Sequence, residues 1–121
     1  MSENPVRDAI QEAIADHDII LFMKGTPEQP MCGFSARTAA ALEALGTEYA
    51  AVDILPDPRI RQELSAISNW PTIPQLFVKG ELIGGADISE ELHASGDLQA
   101  KLDEALGAGR DRTVKTLAVQ P

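Results

Sequence analysis

Cysteine is nearly missing from this chain: Cys32 is the only one among 121 residues. A lone cysteine closes no internal disulfide, so oxidative cross-linking has no part in the fold, and such usage suits a reducing cytoplasm. Basic residues are also scarce, 10 Lys and Arg against 19 Asp and Glu, for a formal net charge of −9. Nucleic-acid binding needs a basic footprint, and this balance argues against it; an acidic surface favours solubility and suits a basic partner patch without identifying one. Long apolar runs are lacking. No stretch approaches the ~20 residues of a membrane span, and the opening Met1-Ser-Glu-Asn-Pro-Val-Arg-Asp8 has neither the apolar core of a signal peptide nor the basic, acid-poor look of a transit peptide. Internal repeats and low-complexity segments are absent too. What is present, 44% hydrophobic and 24% charged residues, makes one soluble globular domain with a core of ordinary size.

The single cysteine stands in a telling place. The apolar run Ile19-Ile20-Leu21-Phe22-Met23 reads as a buried strand, a loop punctuated by Gly and Pro follows, and a helical pattern runs from Ser35 to Leu45. Cys32 therefore lies at a strand–loop–helix junction. Unpaired N–H groups and the positive end of a helix dipole favour thiolate over thiol there, and the thiolate is both nucleophile and metal ligand.

Around this junction the chain alternates elements. Pro5 to His17 places Val6, Ala9, Ile10, Ala13 and Ile14 on one helix face, with Asn4 as N-cap. A strand over about 18–23 precedes the Cys32 loop, and Gly46 closes the second helix. Glu48–Ile54 reads as a second strand. Asp57 caps a third helix, running from Pro58 to Ile67, with Ile60, Leu64 and Ile67 inward. The segment Asn69–Pro74 is too proline-rich for a regular element. Gln75–Lys79 and Glu81–Gly84 pair as an antiparallel hairpin around Gly80. Asp87 is read as the N-cap of a helix over Ile88–Ala94, with Glu90 completing a capping box. Beyond Gly96 a last helix stacks Leu98, Leu102 and Leu106. Residues 1–107 thus form the domain, and 108–121 carry no convincing period and are read as a flexible tail. The order predicts an α/β fold: a mixed four-stranded sheet with parallel strands in its βαβ part and helices on both faces.

Four blocks, in order, resemble the monothiol glutaredoxins of the CGFS type, within the thioredoxin-fold superfamily. They are Lys24-Gly25…Pro30-Met31-Cys32-Gly33-Phe34-Ser35, Asp53-Ile54…Arg61, Trp70-Pro71-Thr72-Ile73-Pro74-Gln75 and Gly84-Gly85-Ala86-Asp87. The resemblance covers roughly residues 5–107. It implies a thioredoxin-like fold, a cis bond before Pro74, and a glutathione site beside Cys32. Under it, Lys24 and Arg61 hold the glycine carboxylate, the Ile73 backbone meets the peptide, the N–H groups of Gly85, Ala86 and Asp87 take the γ-glutamyl carboxylate, and Asp87 meets the amine. Many relatives carry a second cysteine where Ala86 stands, so a redox switch relying on it is absent here; that position is not a family ligand to the cluster.

Two functions follow from the resemblance. In the first, a 2Fe–2S cluster, which takes four ligands, is bridged between two subunits by two Cys32 thiolates and two glutathione thiols, and passed on in iron–sulfur assembly and iron homeostasis. Its expected partners are apo iron–sulfur proteins as recipients and a BolA-family protein; the chain is a homodimer with cluster and a monomer without. In the second, Cys32 acts as the nucleophile of a glutathione-dependent monothiol oxidoreductase that removes glutathione from proteins. Dithiol chemistry is excluded, because Ser35 occupies the second position of the C-x-x-C pair. Seven residues separate Lys24 from Cys32, a longer segment than in dithiol relatives, and this favours the carrier over the enzyme. Whether the protein is an enzyme at all stays open at this point. Trp70 and Phe34 are read as packing or partner surface, and His17 and His93 as helix-end residues.

Overall fold

The computed structural model describes residues 4–107 and 114–117. Among the described residues the expected five helices and four strands come in order, followed by a strand that was not expected: α1 (Pro5–Asp16), β1 (Ile19–Met23), α2 (Gly33–Ala44), β2 (Tyr49–Asp53), α3 (Pro58–Ser68), β3 (Gln75–Val78), β4 (Glu81–Gly84), α4 (Ala86–Ser95), α5 (Asp97–Leu106) and β5 (Val114–Leu117). The helix starts obey local chemistry. Asn4 accepts the Arg7 N–H at 3.0 Å with Pro5 in the first turn, and Asp57 accepts the Arg59 N–H at 3.0 Å with Pro58 in the same place.

The strands lie in the order β4-β3-β1-β2-β5. β1 runs parallel to β2, with Ile20 opposite Ala50, and antiparallel to β3, which forms the hairpin with β4. β1 is buried throughout, so its alternation does not separate core from solvent; it divides two cores. Ile20 and Phe22, with Ala50, Val52 and Phe77, meet Val6, Ile10 and Ile14 of α1 and Ile60 and Leu64 of α3. Ile19, Leu21 and Met23 face the other way, onto Ala39 and Leu42 of α2 and Leu98 and Leu102 of α5. Phe22 and Phe77 meet edge to face, ring centres 5.8 Å apart, in the first of these layers. The mixed sheet with helices on both faces is therefore as expected.

The strand count is corrected from four to five. Val114–Leu117 lies parallel to β2, with Tyr49 opposite Val114 and Val52 opposite Leu117, inside the stretch read as a tail without structure. Four residues are too short to declare a period, and Val114 and Leu117 are each only partly covered; pairing to the otherwise open edge of β2 is what makes them a strand. The rest of that tail lies outside the described residues.

Candidate functional site

The site sits where β1 and β2 end and α2 begins. Helix α2 starts at Gly33, two residues earlier than its apolar pattern suggests, so Cys32 is itself the N-cap, with extended backbone and its carbonyl accepting the Ala36 N–H at 2.9 Å. The Ser35 backbone N–H, directed at Sγ, does most to hold the thiol below its ordinary pKa. Partial burial opposes the shift, while the Phe34 N–H, the Lys24 charge and the Ser35 hydroxyl reinforce it. The only cysteine is thus a partly exposed, thiolate-favouring residue at a helix N-terminus.

The loop before it is closed on itself. Thr26 and Gln29 exchange backbone hydrogen bonds of 3.2 and 3.0 Å, Gly25 bridges Pro30, and the Met31 N–H donates to the Lys24 carbonyl at 2.9 Å. Gly25 adopts φ +86°, and a Cβ there would lie 2.5 Å from the Gln29 carbonyl oxygen, so no other residue fits without displacing the backbone. Ser35 is fully buried and its hydroxyl accepts the Lys24 N–H at 3.1 Å. The residue standing where a second thiol would be is therefore a brace for the lysine loop.

Two further walls complete the cleft. The Ile73–Pro74 bond is cis, and the buried Gln75 amide donates to the Trp70 and Thr72 carbonyls at 3.1 and 3.2 Å, closing the proline-rich bend from within. Helix α4 begins at Ala86, with Gly85 as N-cap in place of Asp87. Asp87 lies in the first turn and makes no capping bond, and Glu90 pairs with Arg37 of α2 instead of closing a capping box. The reason is steric. The Gly85 Cα faces Trp70 Nε1 and the Pro74 carbonyl so closely that a built Cβ would stand 3.3 and 3.4 Å from them, a tight contact that glycine avoids where the helix starts against the bend. Trp70 accordingly packs at the helix start, its Nε1 buried and without a hydrogen bond.

A cleft of about 310 Å³ results, bringing Lys24, Cys32, Arg61, Ile73, Ala86 and Asp87 together from four separate elements and loops. Of the candidate site residues Gly85 alone does not line it; it is buried directly behind. Phe34, Thr72 and Pro74 line it as well. Phe34 is 52% exposed, with the Arg37 guanidinium 4.8 Å from its ring centre, and Met31, next to Cys32 in sequence, is 64% exposed. Two supports were not picked out from sequence: Gln75, whose partners are backbone carbonyls across a bend, and Asp53, treated below. The Asp53 tie to Gly25 spans 28 residues and has no linear spacing to betray it.

The charges of the cleft are unevenly spent. Arg7, Arg37, Arg59 and Lys79 each pair with a carboxylate. Lys24 and Arg61, like Lys101 and Lys115 elsewhere, pair with none among the described residues, although the chain has nearly twice as many acids as bases. Two unpaired cations, a helix N-terminus with free N–H groups and an exposed carboxylate at Asp87 face one cavity, so it suits a ligand with more than one carboxylate and an amine. Among the described residues no group of three His, Cys, Asp or Glu side chains can hold a metal ion, and no helix is long and apolar enough to cross a membrane.

Comparison with known proteins agrees. The Glutaredoxin family model matches residues 19–83. Over 89 residues the chain is 55% identical to the probable monothiol glutaredoxin GrlA of Legionella pneumophila, an alignment spanning 74% of this chain and 100% of that one. It is 52% identical over 97 residues to glutaredoxin 4 of Escherichia coli K12, spanning 80% of this chain and 84% of the other. Among solved structures, that of reduced apo GrxS14 from poplar superposes with a TM-score of 0.74 at 39% identity, over 84% of this chain and 93% of that one.

Proposed function

The chain belongs to the monothiol glutaredoxins, and from that premise we propose that it carries a 2Fe–2S cluster and hands it to apo iron–sulfur proteins, using glutathione as co-ligand. The observation that carries the reading is the cleft itself: one thiolate-favouring cysteine at its mouth and two unpaired cations in its walls. A 2Fe–2S cluster takes four ligands, commonly thiolates, and this chain has one. Two chains and two glutathiones make up the set.

The donor groups fit glutathione, which has two carboxylates, an amine and a thiol. Lys24 and Arg61 would hold the glycine carboxylate, and the backbone of Ile73 would meet the peptide. The N–H groups of Gly85, Ala86 and Asp87 would take the γ-glutamyl carboxylate, with the Asp87 carboxylate meeting the amine. When bound, glutathione supplies a second thiolate beside Cys32. The protein's own part is to favour the Cys32 thiolate through the Ser35 and Phe34 N–H groups and to hold the cations that would anchor the co-ligand. A cluster shared across two chains and held half by exchangeable small thiols is suited to delivery. The apo chain is a monomer, the loaded form a homodimer or a complex with a BolA-family protein, and the setting is the cytoplasm, where thiols stay reduced.

The lowered thiol pKa also suits a second reading, glutathione-dependent removal of glutathione from proteins. There the Cys32 thiolate attacks the glutathionyl sulfur of a mixed disulfide and releases the protein thiolate. A second glutathione thiolate then frees Cys32, leaving as glutathione disulfide. Anaerobic reconstitution with iron, sulfide and glutathione separates the two. The carrier reading expects a coloured dimer with two irons and two glutathiones, abolished by Cys32→Ser. A colourless monomer that deglutathionylates substrates would give first place to the enzyme.

A further inference from the structure

Asp53 belongs to a sequence block shared with the family, yet it lies outside the cleft lining, and nothing derived so far uses its carboxylate. It is the last residue of β2, half-buried, opposite Met23 at the end of the central parallel pair. Its Oδ1 accepts two backbone N–H groups, from Gly25 at 2.9 Å and from Leu55 at 2.9 Å. We propose that Asp53 is a positioning residue for the bound co-ligand: it fixes the Lys24–Gly25 peptide to the end of the sheet, and through it the direction in which Lys24 enters the cleft.

The surroundings of Lys24 carry the argument. Its own N–H is held by the Ser35 hydroxyl at 3.1 Å, and its carbonyl by the Met31 N–H at 2.9 Å. The next N–H, that of Gly25, goes to Asp53. Three successive polar groups of the backbone around this lysine are thus tied to α2, to the residue before Cys32, and to β2. The first two ties connect the lysine to the cysteine segment; the Asp53 tie connects the peptide that follows it to the neighbouring strand β2. Gly25 is at φ +86° in a turn that admits no Cβ, and beside its bridge to Pro30 its N–H goes to an acceptor outside the loop. A carboxylate taking two N–H groups is a strong one. Leu55 is gathered by the same oxygen, so one side chain joins the loop that carries Lys24 to the chain that leads into α3, where Arg61 sits. The two cations of the cleft are aligned through a residue that touches neither the ligand nor their charged ends.

This inference rests on the glutathione reading, and its test separates the two. In the apo protein, NMR-detected amide exchange at Gly25 and Leu55 should be fast in Asp53→Ala and close to the parent in Asp53→Asn, which keeps an acceptor at the Oδ1 position. Glutathione titrated into the same apo samples, followed at the Ile73, Ala86 and Asp87 amides, should need about tenfold more ligand for half-saturation in Asp53→Ala and within about threefold of the parent in Asp53→Asn. Rescue by asparagine is what a role for the charge alone would not produce, and the glutathione titration separates positioning of the co-ligand from support of the fold alone. Unchanged glutathione binding in a folded Asp53→Ala, or an Asp53→Asn as defective as the alanine variant, overturns the proposal. If the parent binds no glutathione, the functional reading fails; slow exchange at Gly25 and Leu55 that Asp53→Ala abolishes would still support Asp53 as the tie, and parent-like exchange in that variant would refute it.

Discussion

At the scale of single residues, the chemistry is concentrated in one sulfur and the donors aimed at it. The Cys32 thiol is held below its ordinary pKa first by the Ser35 N–H, with the Lys24 charge a smaller contributor. A lowered thiol pKa means more thiolate at neutral pH, so the midpoint of an iodoacetamide rate profile should fall at lower pH than that of an unperturbed thiol. Lys24→Ala should move that midpoint back upward by only part of the displacement, since the backbone donors stay in place. Ser35 shows why residue type alone misleads. Serine reads as a helix-start residue or as a lost second thiol, whereas the folded chain uses its buried hydroxyl to accept the Lys24 N–H.

At the scale of elements, the helix starts divide into those that local sequence specifies and those that it does not. Asn4-Pro5 and Asp57-Pro58 were legible because cap and proline are neighbours and need nothing else. The start of α4 was not. Asp87 and Glu90 have capping-box spacing, yet Gly85 takes the cap because the helix packs against Trp70 and Pro74, and Glu90 finds Arg37 on another helix. The fifth strand is the other missed element. Its partly buried Val114 and Leu117 should contribute modestly, so changing both to serine should lower stability by about 1–3 kcal/mol in urea denaturation. Under the proposed carrier function, cluster uptake should be unchanged, because no β5 residue lines the cleft.

At the scale of the whole molecule, net charge and the apolar rim pull in opposite directions. Each copy carries a formal charge of −9, so in the proposed cluster-bridged dimer the two copies would repel one another. Exposed Met31 and Phe34, on either side of Cys32, offer apolar contact in the same place. Raising ionic strength from about 0.01 to about 0.15 M shortens the screening length from roughly 30 to 8 Å. The fraction of loaded protein eluting as dimer in size-exclusion chromatography should therefore rise with salt. A fall with salt would mean that attraction between charges holds the pair.

Linear order and periodicity were enough for the succession of elements, the parallel βαβ part, the hairpin and the place of Cys32 at a helix start, because each depends on residues a few positions apart. The family likeness pointed to most of the cleft residues as well, since its blocks keep their order along the chain. What folding alone settled are relations between distant segments: Asp53 gripping Gly25, Gly85 replacing Asp87 as cap against Trp70 and Pro74, and Val114–Leu117 joining β2. Each is a hydrogen bond or a steric fit whose partner is set by the packing of the sheet and its helices, and that packing is a property of the assembled core.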